Sequence, residues 1–320
     1  MRLAALSNEK LSPWINWTTL GPPLLKPLAT KPGATYLAPP PLRLRNTGEW
    51  AKAASQLYDS DTLFWMQGSA RPETSIWAAA ALRGRVKRSA FVVDAWPRCQ
   101  RRIGALAVMQ KMDPCFVAFR QARDQLSKAF PRGRFEWMPF GIDADVFRPR
   151  DLEKDVFIYW MGRRYEPLHQ AILAYCHARN LKYVYTTPDG HICDPAELGK
   201  LVSRARYFVV TPPCLDGSRP TDGISPLVMR YMEGLAAGTR LLGVLPASGE
   251  YEDLLPLDAI LQVKADGSDL AQRLAVDAED PGADKAVARA SELVRSQHSW
   301  QRRADQIFAR LKDGQVAFPT

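Results

Sequence analysis

Short apolar runs rich in β-branched and aromatic residues recur along the chain, separated by longer stretches whose apolar residues fall every third or fourth position. That alternation is what strands produce when they feed helices that return to one parallel sheet covered on both faces. In the first half the pattern predicts strands at 2–6, 35–38, 62–66, 89–93, 115–119 and 135–138. In the second half it predicts strands at 156–161, 182–185, 207–211, 240–243 and 260–263. Between the two sets, over 141–153, Pro149 and the charged residues Arg148, Arg150, Asp151 and Glu153 interrupt the apolar pattern. The expectation is an α/β chain with two doubly wound parallel sheets.

One region departs from the alternation. Residues 11–45 are rich in proline, with Pro39, Pro40 and Pro41 in succession, and read as a long ordered loop or a polyproline-like connector with at most one strand.

Composition narrows the classes. A length of 320 residues suffices for two domains that each bury a core, and 46% apolar with 24% charged residues is ordinary for a soluble globular protein. No run of 18 apolar residues occurs, so no spanning helix is expected. The N-terminus reads as a first strand rather than a signal peptide, which points to the cytoplasm. The five cysteines, Cys99, Cys115, Cys176, Cys193 and Cys214, form no C-x-x-C pair, and the four histidines form no metal-ligand spacing, so neither a disulfide framework nor a metal site is expected.

A net charge of +9 calls for anionic partners: phosphorylated small molecules, anionic membrane or nucleic acid. The basic residues cluster in RGRVKR, from Arg83 to Arg88, and in RCQRR, from Arg98 to Arg102. Each run is either a solvated helix face or a patch for anionic lipid at the inner membrane face. No nucleic-acid module accompanies them.

Candidate chemistry sits at strand ends, where doubly wound sheets gather their ligands. After the strand at 156–161 come Gly162, Arg163 and Arg164, a glycine that admits a phosphate to the backbone and arginines whose fork matches it. The loop at 211–225 has two Asp-Gly pairs and leads to Ser225, Pro226 and Leu227, which are read as the start of a helix with Pro226 in its first turn. The unpaired N–H groups of such a helix start favour phosphate. Arg230 and Glu233 lie three apart on that helix, so a cation and an acceptor project together, and Gly238 closes it. Asp94, after the strand at 89–93, either orients an acceptor hydroxyl or serves as its base, or else caps the next helix. Gln67 and Gly68 are further candidates at the end of 62–66. Asp143 and Asp145 have the D-x-D spacing of a cation site but lie in the interdomain segment and are read as turn residues. No G-x-G-x-x-G follows any predicted strand, and neither a G-x-S-x-G elbow nor a P-loop occurs, which argues against nicotinamide or flavin oxidoreductases, α/β-hydrolases and P-loop enzymes.

Three segments carry a resemblance: MEGLAAGTRLLG at 232–243, PFGIDADVFRP at 139–149 and HSWQRRADQIFARL at 298–311. In that order and spacing they resemble the donor-site helix, the interdomain segment and the closing helix of the GT-B glycosyltransferases known as glycosyl transferases group 1. The resemblance covers about residues 135–315. It implies a GT-B architecture with an N-terminal acceptor-side Rossmann-like domain at 1–147, a nucleotide-sugar-binding domain at 148–300, and a helix at 301–320 returning to the first. It implies a glycosyltransferase of polysaccharide or glycoconjugate biosynthesis that moves a sugar from a UDP- or GDP-sugar to a glycan, lipid-linked sugar or small molecule, retaining configuration and requiring no further cofactor or metal. Arg163 and Gly162 are expected at the diphosphate and Glu233 at the ribose. The family's lysine after this arginine is missing, with Arg164 as a substitute, and Ser225 stands where many members have a first glutamate. Arg230 with Glu233 is similar to the Arg-x-x-Glu pattern of the spore-maturation-type subgroup. Two alternatives stay open: a nucleotide-sugar epimerase of the same fold, which would share the donor half, and, motivated by these departures and by the absence of a histidine before His169, a non-catalytic sugar- or membrane-binding relative.

Overall fold

The computed structural model describes residues 1–7, 20–39, 43–68, 74–82, 86–186, 194–215 and 221–314. The chain divides into two compact units, one of residues 1–141 and 300–320 and the other of 142–299.

The first unit begins with β1 (Leu3–Leu6), α1 (Gly21–Ala29), β2 (Ala34–Leu37), α2 (Thr47–Tyr58), β3 (Thr62–Gln67) and α3 (Thr74–Leu82). It continues with β4 (Lys87–Val92), α4 (Pro97–Met109), β5 (Met112–Val117), α5 (Arg120–Ala129) and β6 (Phe135–Trp137). The second unit holds β7 (Val156–Trp160), α6 (Glu166–Ala178), β8 (Tyr183–Tyr185), α7 (Pro195–Arg204), β9 (Ala205–Val210), α8 (Met229–Ala236), β10 (Arg240–Gly243), α9 (Glu250–Leu254), β11 (Ile260–Gln262), α10 (Leu270–Ala278) and α11 (Ala283–Gln297). The chain then re-enters the first unit with α12 (Trp300–Asp313).

Both sheets are parallel throughout, in the orders β2-β1-β3-β4-β5-β6 and β11-β10-β9-β7-β8. Winding therefore reverses between β1 and β3 in the first sheet and between β7 and β9 in the second. At such switch points the loops leaving the strands diverge and open a crevice at the carboxyl ends. All eleven strands expected from the apolar runs are present, with their ends moved by up to three residues. They were legible because both faces are covered: every residue of β3 is buried, so the run is apolar without alternation. In the second unit Tyr159 of β7 belongs to one core with Phe208, Tyr231 and Leu235, while its neighbours Ile158 and Trp160 belong to the other with Leu168 and Tyr207.

The proline-rich stretch needs correcting. It holds α1, with Pro22 and Pro23 in the first turn, where a missing N–H costs nothing, and with Leu24, Leu25 and Leu28 fully buried. Pro27 lies inside the helix. The buried leucine face outweighs the lost hydrogen bond, because α1 packs on α12, and Lys31 just beyond it pairs with Asp305 of α12. On α12 the buried residues Trp300, Arg303, Ala304, Ile307 and Leu311 recur at helical spacing. Arg303 is 2% exposed and donates to the carbonyls of Pro139 (2.9 Å) and Phe140 (3.2 Å). Burial lowers its pKa to about 9, with the charge of Arg302 adding to the effect.

Candidate functional site

The loop after β9 leads to α8, and here the sequence expectation is corrected. The helix starts at Met229, with Val228 extended at its N-cap (φ −105°, ψ 159°), so Pro226 precedes the first turn instead of lying in it. A buried acid from elsewhere in the chain engages this segment. The Glu250 carboxylate accepts the Leu227 N–H at 2.7 Å, and the Ser225 hydroxyl accepts the Ala247 N–H at 3.1 Å and the Cys214 thiol at 3.4 Å. Pro226 has no N–H and that of Leu227 is engaged, and residues 225–228 form a non-helical strap ahead of α8. The other end follows expectation. Gly238 adopts φ +72°, its N–H reaches the Leu235 carbonyl, and the Thr239 N–H reaches that of Gly234, a Schellman closure that only a residue tolerant of positive φ makes without strain. Lys154 donates to the Gly238 carbonyl at 2.9 Å and covers the closed end with a cation.

Glu233 lies in the middle of α8 and is 5% exposed. Among the described residues its carboxylate has no hydrogen bond and no ion pair within 4 Å. Burial pushes its pKa up to about 7, and the Arg230 charge one turn away opposes the rise. Close packing of the helix explains the burial: a Cβ on Gly234 would sit 2.6 Å from Leu241 and Phe208.

Arg230 reaches to the end of β7. Its guanidinium donates to the Met161 carbonyl at 3.3 Å and lies against Gly162, where a Cβ would stand 3.6 Å from its central carbon. Gly162 has φ +79°, a left-handed turn that lets β7 end abruptly, and its N–H donates to the Thr186 hydroxyl at 3.1 Å. Arg163 is half-buried, and its carbonyl accepts the Trp160 indole N–H at 3.1 Å. Arg164 is committed to the fold: its guanidinium donates to the Thr186 carbonyl at 2.5 Å and stacks 4.7 Å above the Tyr185 ring. The structure thus brings Gly162, Arg230 and Glu233 together at the switch point of the second sheet, while Ser225, Leu227 and Arg164 have structural partners.

In the first unit Asp94 follows β4. Its N–H donates to the Gly68 carbonyl at 2.6 Å, and its carboxylate accepts the Trp96 indole N–H at 3.3 Å. Trp96 and not Asp94 is the N-cap of α4. Gln67 is 3% exposed and accepts the Trp65 indole N–H at 2.9 Å. The Asp143 carboxylate accepts the N–H groups of Asp145 (3.1 Å) and Val146 (3.2 Å), as a turn residue does. Among the described residues no group of three or more His, Cys, Asp or Glu could hold a metal, and no helix is long and apolar enough to cross a membrane. Of the basic runs, Arg83 and Arg85 and the loop residues 216–220 lie outside the described residues. Arg88 is tied to Gln110 (2.8 Å) and to the Ala80 carbonyl (3.1 Å), whereas Arg98, Arg101 and Arg102 are exposed on α4.

Three residues of this site had no signal in the sequence. Glu250 belongs to an acidic group with Glu252 and Asp253, and spacing does not tell which of the three is buried. Tyr159 and Thr186 are ordinary strand and strand-end residues. Burial pushes the Tyr159 hydroxyl up to about 12; a hydrogen bond to Thr186 opposes the rise and the charge of Glu233 adds to it.

Comparison with known proteins follows the same lines. Residues 166–309 match the family model described as glycosyl transferase-like. No curated protein sequence matches the chain. Sucrose-phosphate synthase from Thermosynechococcus elongatus superposes with a TM-score of 0.60 at 15% identity, over 98% of this chain and 100% of that one. HepE from Anabaena, solved in complex with UDP and glucose, superposes at 0.56 with 12% identity and the same coverage, and so does the same protein solved with UDP-glucose. At these identities the likeness shows the fold, which is GT-B, as the sequence resemblance implied.

Proposed function

We propose, on the premise that most of the second unit and of α12 matches a glycosyl transferase-like family, that this protein transfers a sugar from a nucleotide-diphosphate donor, UDP- or GDP-linked, to an acceptor hydroxyl. The observation that carries the reading is Glu233, a buried carboxylate without a hydrogen-bond partner among the described residues, one turn from an arginine at a sheet's switch point. A ribose diol supplies two hydroxyl donors and would satisfy this acid. The diphosphate is assigned to Arg230 and Arg163, whose charges meet the negative charge that develops as the sugar leaves. With two arginines in that role the transfer proceeds without a metal, and retention of configuration is the outcome the family resemblance implies. Asp94 is the first unit's candidate for the acceptor hydroxyl. HepE's complexes with UDP and UDP-glucose give the donor class its support, as properties of that protein.

Thermal-shift screening of UDP-, GDP-, ADP- and dTDP-sugars tests the donor, since a ligand that binds only the folded state raises its melting temperature. Arg163→Ala and Glu233→Ala should each weaken the binding of the best ligand without unfolding the protein; affinities equal to wild type would remove the site. The engaged Ser225, in the place of a family acid, favours one second reading, a relative that binds a nucleotide sugar without turning it over. Transfer of label from the donor to any acceptor in a screen eliminates it. Contact with anionic membrane through Arg98, Arg101 and Arg102 is the partner proposal for α4; equal sedimentation with phosphatidylserine and neutral vesicles refutes it.

A further inference from the structure

The segment at 244–250 is tied to the entry of α8 at three points. The Ser225 hydroxyl accepts the Ala247 N–H at 3.1 Å, the Glu250 carboxylate accepts the Leu227 N–H at 2.7 Å, and the Tyr231 hydroxyl donates to the Val244 carbonyl at 2.6 Å. Glu250 is only 1% exposed, and Ser248 holds it as well: its hydroxyl donates to the same carboxylate oxygen at 3.2 Å and accepts the Glu250 N–H at 3.4 Å. Acids are almost never this buried unless every oxygen has work. Here the carboxylate occupies, from within the chain, the place of an anion before a helix start, and it does so at the residue following a proline that has no N–H of its own.

We infer that Glu250 is a positioning residue for the donor site: by holding the Leu227 N–H it locks the strap at 225–228, fixes the start of α8 at Met229, and so sets where Arg230 and Glu233 stand against the end of β7. The inference rests on the donor reading above and adds to it. A diphosphate at this loop meets no amide from residues 226 and 227, because one is a proline and the other is already bonded. Recognition there falls to the arginines, and the geometry of α8 becomes the quantity that Glu250 controls.

The test compares wild type with Glu250→Gln, which keeps an acceptor oxygen in place, Glu250→Asp, which withdraws it by one methylene, and Glu250→Ala. Hydrogen exchange of peptides spanning 222–235 is read first. Glu250→Ala and Glu250→Asp should speed exchange at Leu227 by about tenfold or more, as expected of a buried amide that has lost its acceptor, and Glu250→Gln should stay within about threefold of wild type. Affinity for whichever of UDP, GDP, ADP and dTDP wild type binds best should follow the same order, weakened about tenfold in Glu250→Asp and rescued in Glu250→Gln. Should Glu250→Ala not fold, Glu250→Asp carries the comparison. Exchange at 227 unchanged in Glu250→Asp overturns the inference, as does loosened exchange with nucleotide affinity intact. If wild type binds no nucleotide at all, the donor reading fails, while the exchange data still decide whether Glu250 locks the strap.

Discussion

Glu233 and Asp277 are both buried carboxylates in the second unit, each with an arginine close by, and their surroundings are opposite. Asp277, in α10, accepts Arg240 at 2.5 Å and the Tyr207 hydroxyl at 2.8 Å, so each of its oxygens is bonded. Glu233, in α8, feels Arg230 only through space and has no hydrogen bond among the described residues. A buried acid that is fully bonded holds elements together, here β9 and β10 to α10. One that is not bonded stores unfavourable free energy, and a ligand that supplies the missing donors releases it. Under the donor reading proposed above, the difference separates an acid serving the fold from an acid whose missing donors a ligand would supply.

The comparison breaks most visibly at Asp277. Asp277→Ala would leave Arg240, 11% exposed at its side chain, buried without its counter-charge. Removing one partner of a buried pair costs about 3–5 kcal/mol, so urea unfolding should show a loss of that order. A loss below about 1 kcal/mol would mean that the pair is solvated and the contrast with Glu233 false.

Glu233→Gln should act in the reverse direction. The folded-state pKa of Glu233 lies at about 7 against an ordinary value of 4.5. The folded protein therefore binds this proton more tightly than the unfolded chain does. The resulting stability is complete below pH 4.5 and is lost as pH rises through 7. Above that, the ionised acid costs about 3 kcal/mol relative to its protonated form. Glu233→Gln should then be more stable than wild type by about 2–3 kcal/mol at pH 8, less whatever its own unsatisfied amide costs, with the gap closing towards pH 5. A gap of the same size at both pH values would show that packing and not charge separates the two proteins.

How far these acids could be read from the sequence follows from where their partners lie. The strands announced themselves because burial on both faces leaves continuous apolar runs, as in β3. Glu233 could be placed by the pattern around it, since Arg230, Gly234 and Gly238 are local to its helix. The start of that helix could not be read: the Leu227 N–H just ahead of it is bonded to Glu250, 23 positions away, and nothing near 227 records that partner. The same holds for α1, where local proline argues against a helix and α12, from the other end of the chain, stabilises it. Arg88 was indistinguishable from its basic neighbours until Gln110 and the Ala80 carbonyl were seen to hold it. Local chemistry is legible, and chemistry completed by a distant segment is not.

The finest test of the contrast is the pH dependence of donor binding. If ribose hydroxyls donate to Glu233, the ligand prefers the ionised acid, and affinity should rise as the proton leaves. With the acid titrating at about 7 in the free protein, the dissociation constant of a nucleotide sugar should weaken about tenfold between pH 8 and pH 6. The diphosphate of a nucleotide sugar, esterified at both ends, keeps its charge across this window and adds no slope of its own. Glu233→Gln should bind more weakly and without slope, and Asp277→Asn, where it folds, should keep the wild-type slope. A slope that survives in Glu233→Gln would move the titrating group elsewhere and take from Glu233 the role that sets it apart from Asp277.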